Sequence, residues 1–358
     1  MSPDSRQGAG QQPAPAPTAG TLVDAAGEVI SDVGRADIEA RLASGQFFWL
    51  DLPRLGDEEV GWMGDVFHFH PLAIEDAVHF RQRPKLEDYD GYSVLVLYGS
   101  AMRGNGQDEL DGTDSGSLTP DRLESVSEVH CFMSEAYLVT VHREDCPAFA
   151  DLARRLRDRK QAHSAAHLFY RVADTLVDSF FPVLSDLDDR IDLLQTQVVS
   201  RPTDQQLSEV LAYKGALITL RRVIAPQRDV FAGLSGEVSD LPGIDDDSRR
   251  YLRDVYDHLI RLADLLDSYR DLLSGTMDAY LSVVSNRLND VMKQLTIIAT
   301  VFLPLSFLTG FFGQNFGWMV NRLGSFAVFV GAGIGSEVLA AVVLMLLFYR
   351  RGWLASRG

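Results

Sequence analysis

From Gln294 to Asn321 the chain carries no charged residue. That run limits the fold more than any other feature. Its core, LTIIATVFLPLSFLTGFF, is long enough to cross ~30 Å of hydrocarbon at ~1.5 Å per residue. A second apolar run, Phe326 to Tyr349, follows after a short turn and holds one acid, Glu337. A chain built this way ends as a two-helix transmembrane hairpin, with the remainder folding ahead of it in water.

The first apolar run continues a pattern that begins far upstream. Alternate steps of four and three from Asp278 reach Ser282, Ser285, Asn289, Met292, Thr296, Ala299, Leu303, Ser306, Gly310 and Gly313. Backward they pass through Gly275, Asp271, Ser268, Asp264, Arg261 and Asp257. A 3.5-residue period keeps one helix face toward a supercoil axis. Here that face is acidic, then hydroxyl- and amide-bearing, then small, while Leu262, Leu266, Leu273, Leu281, Leu288 and Leu295 take other faces. A polar seam with apolar flanks fits a ring of helices around water better than a zipper. Plainer readings exist: the acids also suit a solvated outer face, and Ser306, Gly310 and Gly313 suit close helix contacts in lipid. The unbroken phase from the acids into the apolar run favours a conducting pore.

The 358 residues carry a formal net charge of −17. That length holds a soluble domain of two to three hundred residues plus the hairpin. Such acidity argues against nucleic acid and suits a protein that attracts cations. Two cysteines, Cys131 and Cys146, imply no disulfide framework and fit a reducing cytoplasm. Residues 1–21, rich in Pro, Ala, Gly and Gln, read as a disordered leader without a signal-peptide core. Arg287 and Lys293 precede the first span and Arg350, Arg351 and Arg357 follow the second, against Arg322 alone in the turn. That bias predicts a protein of the inner or plasma membrane with both termini in the cytoplasm.

Residues 22–245 read as a cytoplasmic α/β domain joined to a helical pair. Strands are expected at 46–52, 92–100, 124–134 and 136–143, and helices at 57–69 and 71–78, with Pro71 in a first turn. A Gly/Asp/Ser loop fills 104–120. Helices follow at 146–163, where Arg154, Arg155, Arg157, Arg159 and Lys160 form a solvated face or touch lipid headgroups, and at 167–199 and 204–234 as an antiparallel pair. A stalk helix is expected at 246–294, opened by acids at its N-terminus. It continues as a pore-lining span at 295–313, an outer loop at 314–325, a second span at 326–349 and a cytoplasmic tail at 350–358. His68 and His70 make an H-x-H near Glu75 without a ligand set or nucleophile–base pair beside them, so they read as structural and no enzyme is indicated.

The segment NDVMKQLTIIATVFLPLSFLTGFFGQNF, 289–316, closely resembles the pore helix and signature of the CorA magnesium-transporter family. The likeness extends through Ile74-Glu75-Asp76, RQRPK at 81–85, LRDVYDH at 252–258, YLSVVSN at 280–286 and the RRGWL tail at 350–354. It runs in order over residues 45 to 354. The resemblance implies a homopentamer embedded in a lipid bilayer, with a cytoplasmic α/β funnel, a long pore-lining stalk helix and an outer ring of second helices. It places Gly313, Gln314 and Asn315 at the outer mouth and Asn289 in a polar ring below. It makes Met292, Leu295 and Leu303 apolar constrictions, while Thr296 and Ser306 belong to the same seam. It also implies regulatory cation sites between subunits, one from Asp278 with a neighbour's Asp76, another from Glu75, Asp174, Asp254 and His258. Cytosolic Mg2+ bound there would hold the stalks closed. Without the resemblance, Asp254 and His258 read as a salt-bridged pair one helical turn apart.

This chain has Gln314 where the family signature has Met, and its outer loop, GWMVNRLGS at 317–325, offers Arg322 rather than acids. The first expectation is channel-like passage of Mg2+, with Co2+ or Ni2+ as passengers, gated by cytosolic divalent cation. The alternatives are a zinc transporter like ZntB and a membrane-tethered cation sensor that does not conduct. Glu337 is open between a proton or cation step, an interfacial place and pairing with Arg322.

Overall fold

The computed structural model describes residues 20–24, 26–31, 33–102, 118–143, 146–159, 164–236, 238–314, 317 and 325–353. The expected leader up to residue 19, the loop up to residue 117, Asn315, Arg322 and the tail beyond Trp353 lie outside them.

One compact unit comprises residues up to 197 together with 203–277, and a second comprises 198–202 with 278 onward. In the first, seven strands form one sheet: β1 Thr21–Asp24, β2 Val29–Ser31, β3 Phe48–Pro53, β4 Lys85–Tyr89, β5 Tyr92–Ser100, β6 Val126–Met133 and β7 Tyr137–His142, in the order β2-β1-β3-β7-β6-β5-β4. Only the β3–β7 pairing is parallel among these. Successive side chains of a strand face opposite sides, and both sides of this sheet are covered. Phe48, Leu50, Phe132 and Val139 pack beneath α1 Arg35–Ser44, α2 Asp57–Asp65 and α3 Pro71–His79. Trp49, Leu95, Cys131 and Leu138 join the opposite core with α5 Pro147–Arg159, α6 Ala165–Asp178, α7 Phe180–Ser200, α8 Asp204–Ser235 and the start of α9 Asp246–Phe312. A short α4, Pro120–Leu123, precedes β6. Cys131 and Cys146 are both free thiols.

Strand β5 is buried along its whole length. Beyond its last pairing with β4, Lys85 to Val96, other groups complete its hydrogen bonding. The Tyr98 N–H donates to the buried Gln227 side chain at 2.7 Å, whose amide donates back to the Tyr98 carbonyl at 3.2 Å. The Ser100 N–H donates to Ser179 Oγ at 2.7 Å. Gly99 lies between because a Cβ there would come within 2.8 Å of Leu176. An unmatched backbone group at such depth would cost about 1–3 kcal/mol.

Two expected helices are corrected. The helix at 57–69 ends at Asp65, and His68 takes a left-handed φ of 57°. The single helix at 167–199 is two, α6 and α7, parted at Ser179. Pro182 has no N–H for the Asp178 carbonyl and its ring crowds that oxygen. The Ser179 hydroxyl meanwhile donates to the Leu176 carbonyl and accepts from Ser100.

Helix α9 is unbroken over 67 residues, on the order of 100 Å of α-helix. Within the first unit its buried positions are Ser248, Leu252, Val255, Leu259, Leu262, Leu266, Tyr269, Leu273 and Thr276, spaced three and four apart. The second unit holds the remainder of α9 and α10, Phe326–Arg350, which contains a π-helical turn at Phe329–Ile334. Helices α9 and α10 are long and apolar enough to cross a membrane, with windows of mean hydropathy 2.0 and 2.1 that bury nothing within the chain.

Candidate functional site

The stripe of α9 is a solvent face. Asp257, Arg261, Asp264, Ser268, Asp271, Gly275 and Asp278 are all exposed, offset from the buried heptad positions. In the second unit Asn289, Met292, Leu295, Thr296, Leu303, Ser306, Gly313 and Gln314 are also exposed. The Thr296 hydroxyl donates to its own helix, at Met292 O, 2.8 Å away, and keeps its lone pairs for a partner. The stripe residues are thus open in each unit: acids in the first, Asn289 and hydroxyls in the second, where the apolar faces of α9 are exposed as well. Gly313 and Gln314 close the stripe, and Asn315 follows outside the described residues.

A second constellation lies where α6 meets α9. The apolar face of α6 buries Leu168, Phe169, Val172, Ala173, Leu176 and Val177. That packing leaves Asp174 and Asp178, one turn apart, toward Asp254 and His258 of α9. His258 Nδ1 lies 3.0 Å from Asp178 Oδ1 and 3.7 Å from Asp174 Oδ1, and Nε2 lies 4.0 Å from Asp254. Phe181 meets the imidazole edge-on at 5.8 Å, which fixes the ring plane. Asp174, Asp254 and His258 each offer a ligand atom within 4.8 Å of the others. Burial pushes the Asp174 carboxyl up to about 6, the Asp178 charge adds to that, and His258 offsets only part of it. Asp178 is also raised, by burial, against the pull of His258. Three carboxylates thus face one imidazole, and Arg171 and Arg155, which act on Asp174 and Asp178 through charge alone, do not offset the rise. Two carboxylates and an imidazole fit a divalent cation: the oxygens suit Mg2+ and the nitrogen suits Co2+, Ni2+ or Zn2+.

Sequence reasoning selected Asp174, Asp254 and His258 but missed Asp178. The missed signal was the four-residue spacing from Asp174 on a helix whose other face is apolar. Glu75 is not in this group; it is exposed on α3.

Asp76, next on α3, already has a cation. Lys85 Nζ donates to it at 2.6 Å and to Glu87 at 2.8 Å, and Gln82 Nε2 donates to it at 3.2 Å. Burial depresses the Lys85 ammonium, but these hydrogen bonds outweigh it and hold the group above its ordinary value. The loop between Asp76 and Lys85 is strained: Phe80 and Arg81 have φ of 47° and 67°. Buried Glu128 on β6 pins it, accepting from the N–H groups of Arg81 at 2.6 Å and Gln82 at 3.0 Å. The Tyr98 hydroxyl and His130 Nε2, each 2.9 Å away, complete the cluster. Burial disfavours the Glu128 charge, but His130, the Gln82 N–H and Tyr98 together hold it below its usual value. Left-handed backbone at bulky residues costs ~1–3 kcal/mol and persists only where its surroundings impose it. Of the H-x-H pair, His70 caps α3 by accepting from the Leu72 N–H, a structural task.

The chain is similar to known proteins over nearly all of its length. It is 32% identical over 314 residues to the metal ion transporter YfjQ of Bacillus subtilis, covering 86% of this chain and 90% of that protein. With the cobalt/magnesium transport protein CorA of Thermotoga maritima it shares 33% over 295 residues, 82% of this chain and 79% of the other. Zinc transport proteins ZntB of Yersinia species are 25% identical. The complete CorA magnesium transporter structure of Methanocaldococcus jannaschii superposes with a TM-score of 0.77 at 18% identity, covering 94% of this chain and 99% of that one. The full-length CmaX protein follows with 0.69 at 22%, covering 91% and 97%. The family described as CorA-like Mg2+ transporter protein matches residues 44–350, and the chain belongs to it.

Proposed function

We propose that this protein carries divalent metal cations, Mg2+ first with Co2+ or Ni2+ as passengers, across the inner or plasma membrane as a homopentamer with both termini in the cytoplasm. The observation that carries the reading is the polar stripe of α9, in phase from Asp257 to Gly313 on one unbroken helix and exposed at every step. Copies of α9 that turn this face inward enclose a hydrated axis. Asn289, Thr296 and Ser306 offer neutral oxygens to a hydrated ion, and Asn315 with Gly313 and Gln314 forms the outer mouth. Mg2+ gives up water reluctantly, so oxygens that bond its hydration shell select it without stripping it. Met292, Leu295 and Leu303 close the path by dewetting. Membrane potential drives entry at ~2.3 kcal/mol per charge per 100 mV, about twice that for a divalent ion.

The Asp174, Asp254 and His258 group serves as a cytosolic cation site, to which a neighbour's Glu75 adds a ligand. Asp278 pairs with a neighbour's Asp76, for which a cation competes with Lys85. Occupied sites hold the stalks together; vacated sites leave like charges that push them apart. Uptake by purified protein in vesicles, compared for Mg2+, Co2+ and Zn2+ at equal pH on both sides, tests the reading. Mg2+ flux that Asn315→Ala abolishes supports it. Zn2+ flux with no Mg2+ flux overturns the ion assignment in favour of the second reading, a ZntB-like zinc transporter, which Gln314 in the signature favours. No flux of any of the three, with cations still bound, leaves a sensor.

A further inference from the structure

Between Gln294 and Phe312 of α9, and between Phe326 and Phe348 of α10, Glu337 is the one ionisable side chain. A charge in hydrocarbon is costly, and such residues persist where they serve function. Glu337 Oε1 lies 2.9 Å from Thr309 Oγ1 on α9. The same Oγ1 lies 2.8 Å from the Leu305 carbonyl oxygen. A threonine hydroxyl has one proton to give and lone pairs to accept with, so Thr309 cannot donate to both.

Both contacts are satisfied together when Glu337 is protonated. Its carboxylic O–H then donates to Thr309 Oγ1, and the Thr309 O–H donates to Leu305. When the proton leaves to water, Thr309 turns its own proton to the carboxylate and releases Leu305, or keeps Leu305 and leaves the carboxylate unbonded. Either way a hydrogen bond of the pore helix changes with the charge on α10. Hydroxyl bonds of this i−4 type bend helices, and this one lies between Pro304 and Gly313.

The surroundings suit a proton site. A cavity of about 440 Å3 opens beside the pair, walled by Thr309, Gly313, Phe329, Gly333 and Glu337 among others. It is roomy enough to admit water to the carboxyl. Neither α9 nor α10 adds a second ionisable group to that wall, and Arg322 of the turn lies outside the described residues. The π turn at Phe329–Ile334 ends just before Glu337, and such turns are frequent at functional sites.

We propose that Glu337 is a proton-binding site within the membrane, and that its charge state, read by Thr309, makes cation flux depend on pH. The flux readout rests on the transport reading; proton binding itself does not. Purified protein in vesicles is assayed for Mg2+, Co2+ and Zn2+ uptake over a range of pH, equal on both sides. Wild-type flux changes on the order of tenfold across the titration, the usual size of a coupling between two sites. Glu337→Gln, whose amide N–H donates to Thr309 as the acid does, is fixed at the wild type's acid-side flux at every pH. Thr309→Val keeps the titrating carboxyl but loses the pH dependence. Infrared difference spectra read the proton directly, as a carboxylic C=O band lost at high pH in wild type and missing in Glu337→Gln. A Glu337→Gln profile that follows the wild type overturns the coupling, and spectra without that band overturn the site. If no cation moves at any pH in wild type, the transport reading fails while the spectra still decide the proton site.

Discussion

Two acid clusters in the first unit, one buried and one partly exposed, differ in how their charge is met, and the difference separates scaffold from site. Glu128 is ringed by donors: two backbone N–H groups, a tyrosine hydroxyl and an imidazole. Its carboxyl is held below the usual range despite its burial. Asp174 is half-buried and about half of the Asp178 side chain is exposed; they share one imidazole with Asp254, and both carboxyls are raised. A satisfied acid adds stability and wants nothing further. An acid cluster short of counter-charge costs stability until a cation arrives, and that is what allows it to report on one.

The largest expected effect is on the satisfied cluster. Glu128→Ala leaves His130 and two N–H groups without their acceptor and frees a loop whose backbone is strained at Phe80 and Arg81. A loss of about 3–5 kcal/mol in unfolding free energy is expected, read by denaturant titration in detergent. Asp174→Asn, measured without divalent cations, goes the other way. The folded carboxyl is raised to about 6, so at pH 7 its ionisation disfavours the fold, and an uncharged amide gains about 1 kcal/mol. If both variants lose stability alike, the contrast between the clusters is void.

Next in size is the response to metal. A cation that binds the folded state alone stabilises it by ~2.7 kcal/mol at a hundred times its dissociation constant. Mg2+ or Co2+ should raise the melting temperature of wild type by that measure, and the rise should shrink in a variant carrying Asp174→Asn and Asp254→Asn to what the Asp278 site contributes. Glu128→Gln, although less stable, should keep the full rise. An equal rise in all three would place the bound metal elsewhere.

The two clusters also differ in how far the sequence disclosed them. Asp254 and His258 sit one turn apart on a strongly periodic helix, and Asp174 came with the family resemblance. The stripe on α9 was legible because one heptad period repeats eight times from Asp257 to Gly313, on a face that the described residues leave exposed. The Glu128 cluster joins residues 81, 82, 98, 128 and 130, which only the sheet register brings together. Its trace in the sequence was faint: two polar residues at alternate positions in the apolar strand Val126–Met133. The break at Ser179 was missed for a similar reason, since an apolar period continues across Pro182 and a proline in a helix's first turn is tolerated. Lys85 on Asp76 escaped as well, because hydrogen bonds across a loop leave no spacing to read.

Acid titration sharpens the same contrast with a smaller effect. A carboxyl whose folded value lies below its unfolded one adds stability above the unfolded value, ~4.3 for Glu. That stability is lost as pH falls through the folded value. Wild type should therefore weaken below about pH 4, and Glu128→Gln should weaken less steeply over that window. Parallel slopes would mean that other carboxylates govern the acid limb.

The smallest effect is expected at Asp178, which borders the cation group without belonging to it. It stands 3.0 Å from His258 Nδ1, closer than either other acid, and about half of its side chain is exposed. A carboxylate in that place stands beside the imidazole, as outer-shell acids do beside metal-bound histidines, and adds negative charge next to the cation group. Asp178→Asn keeps the shape but takes charge from the site. Cation affinity should fall by about tenfold, the lower end for outer-shell substitutions, and Asp178→Ala should cost more. Calorimetric titration with Co2+, whose visible spectrum also reports nitrogen ligation, distinguishes the two. Should both variants bind as wild type does, with the Co2+ spectrum unchanged, Asp178 adds nothing to the site and the three-residue group is sufficient by itself.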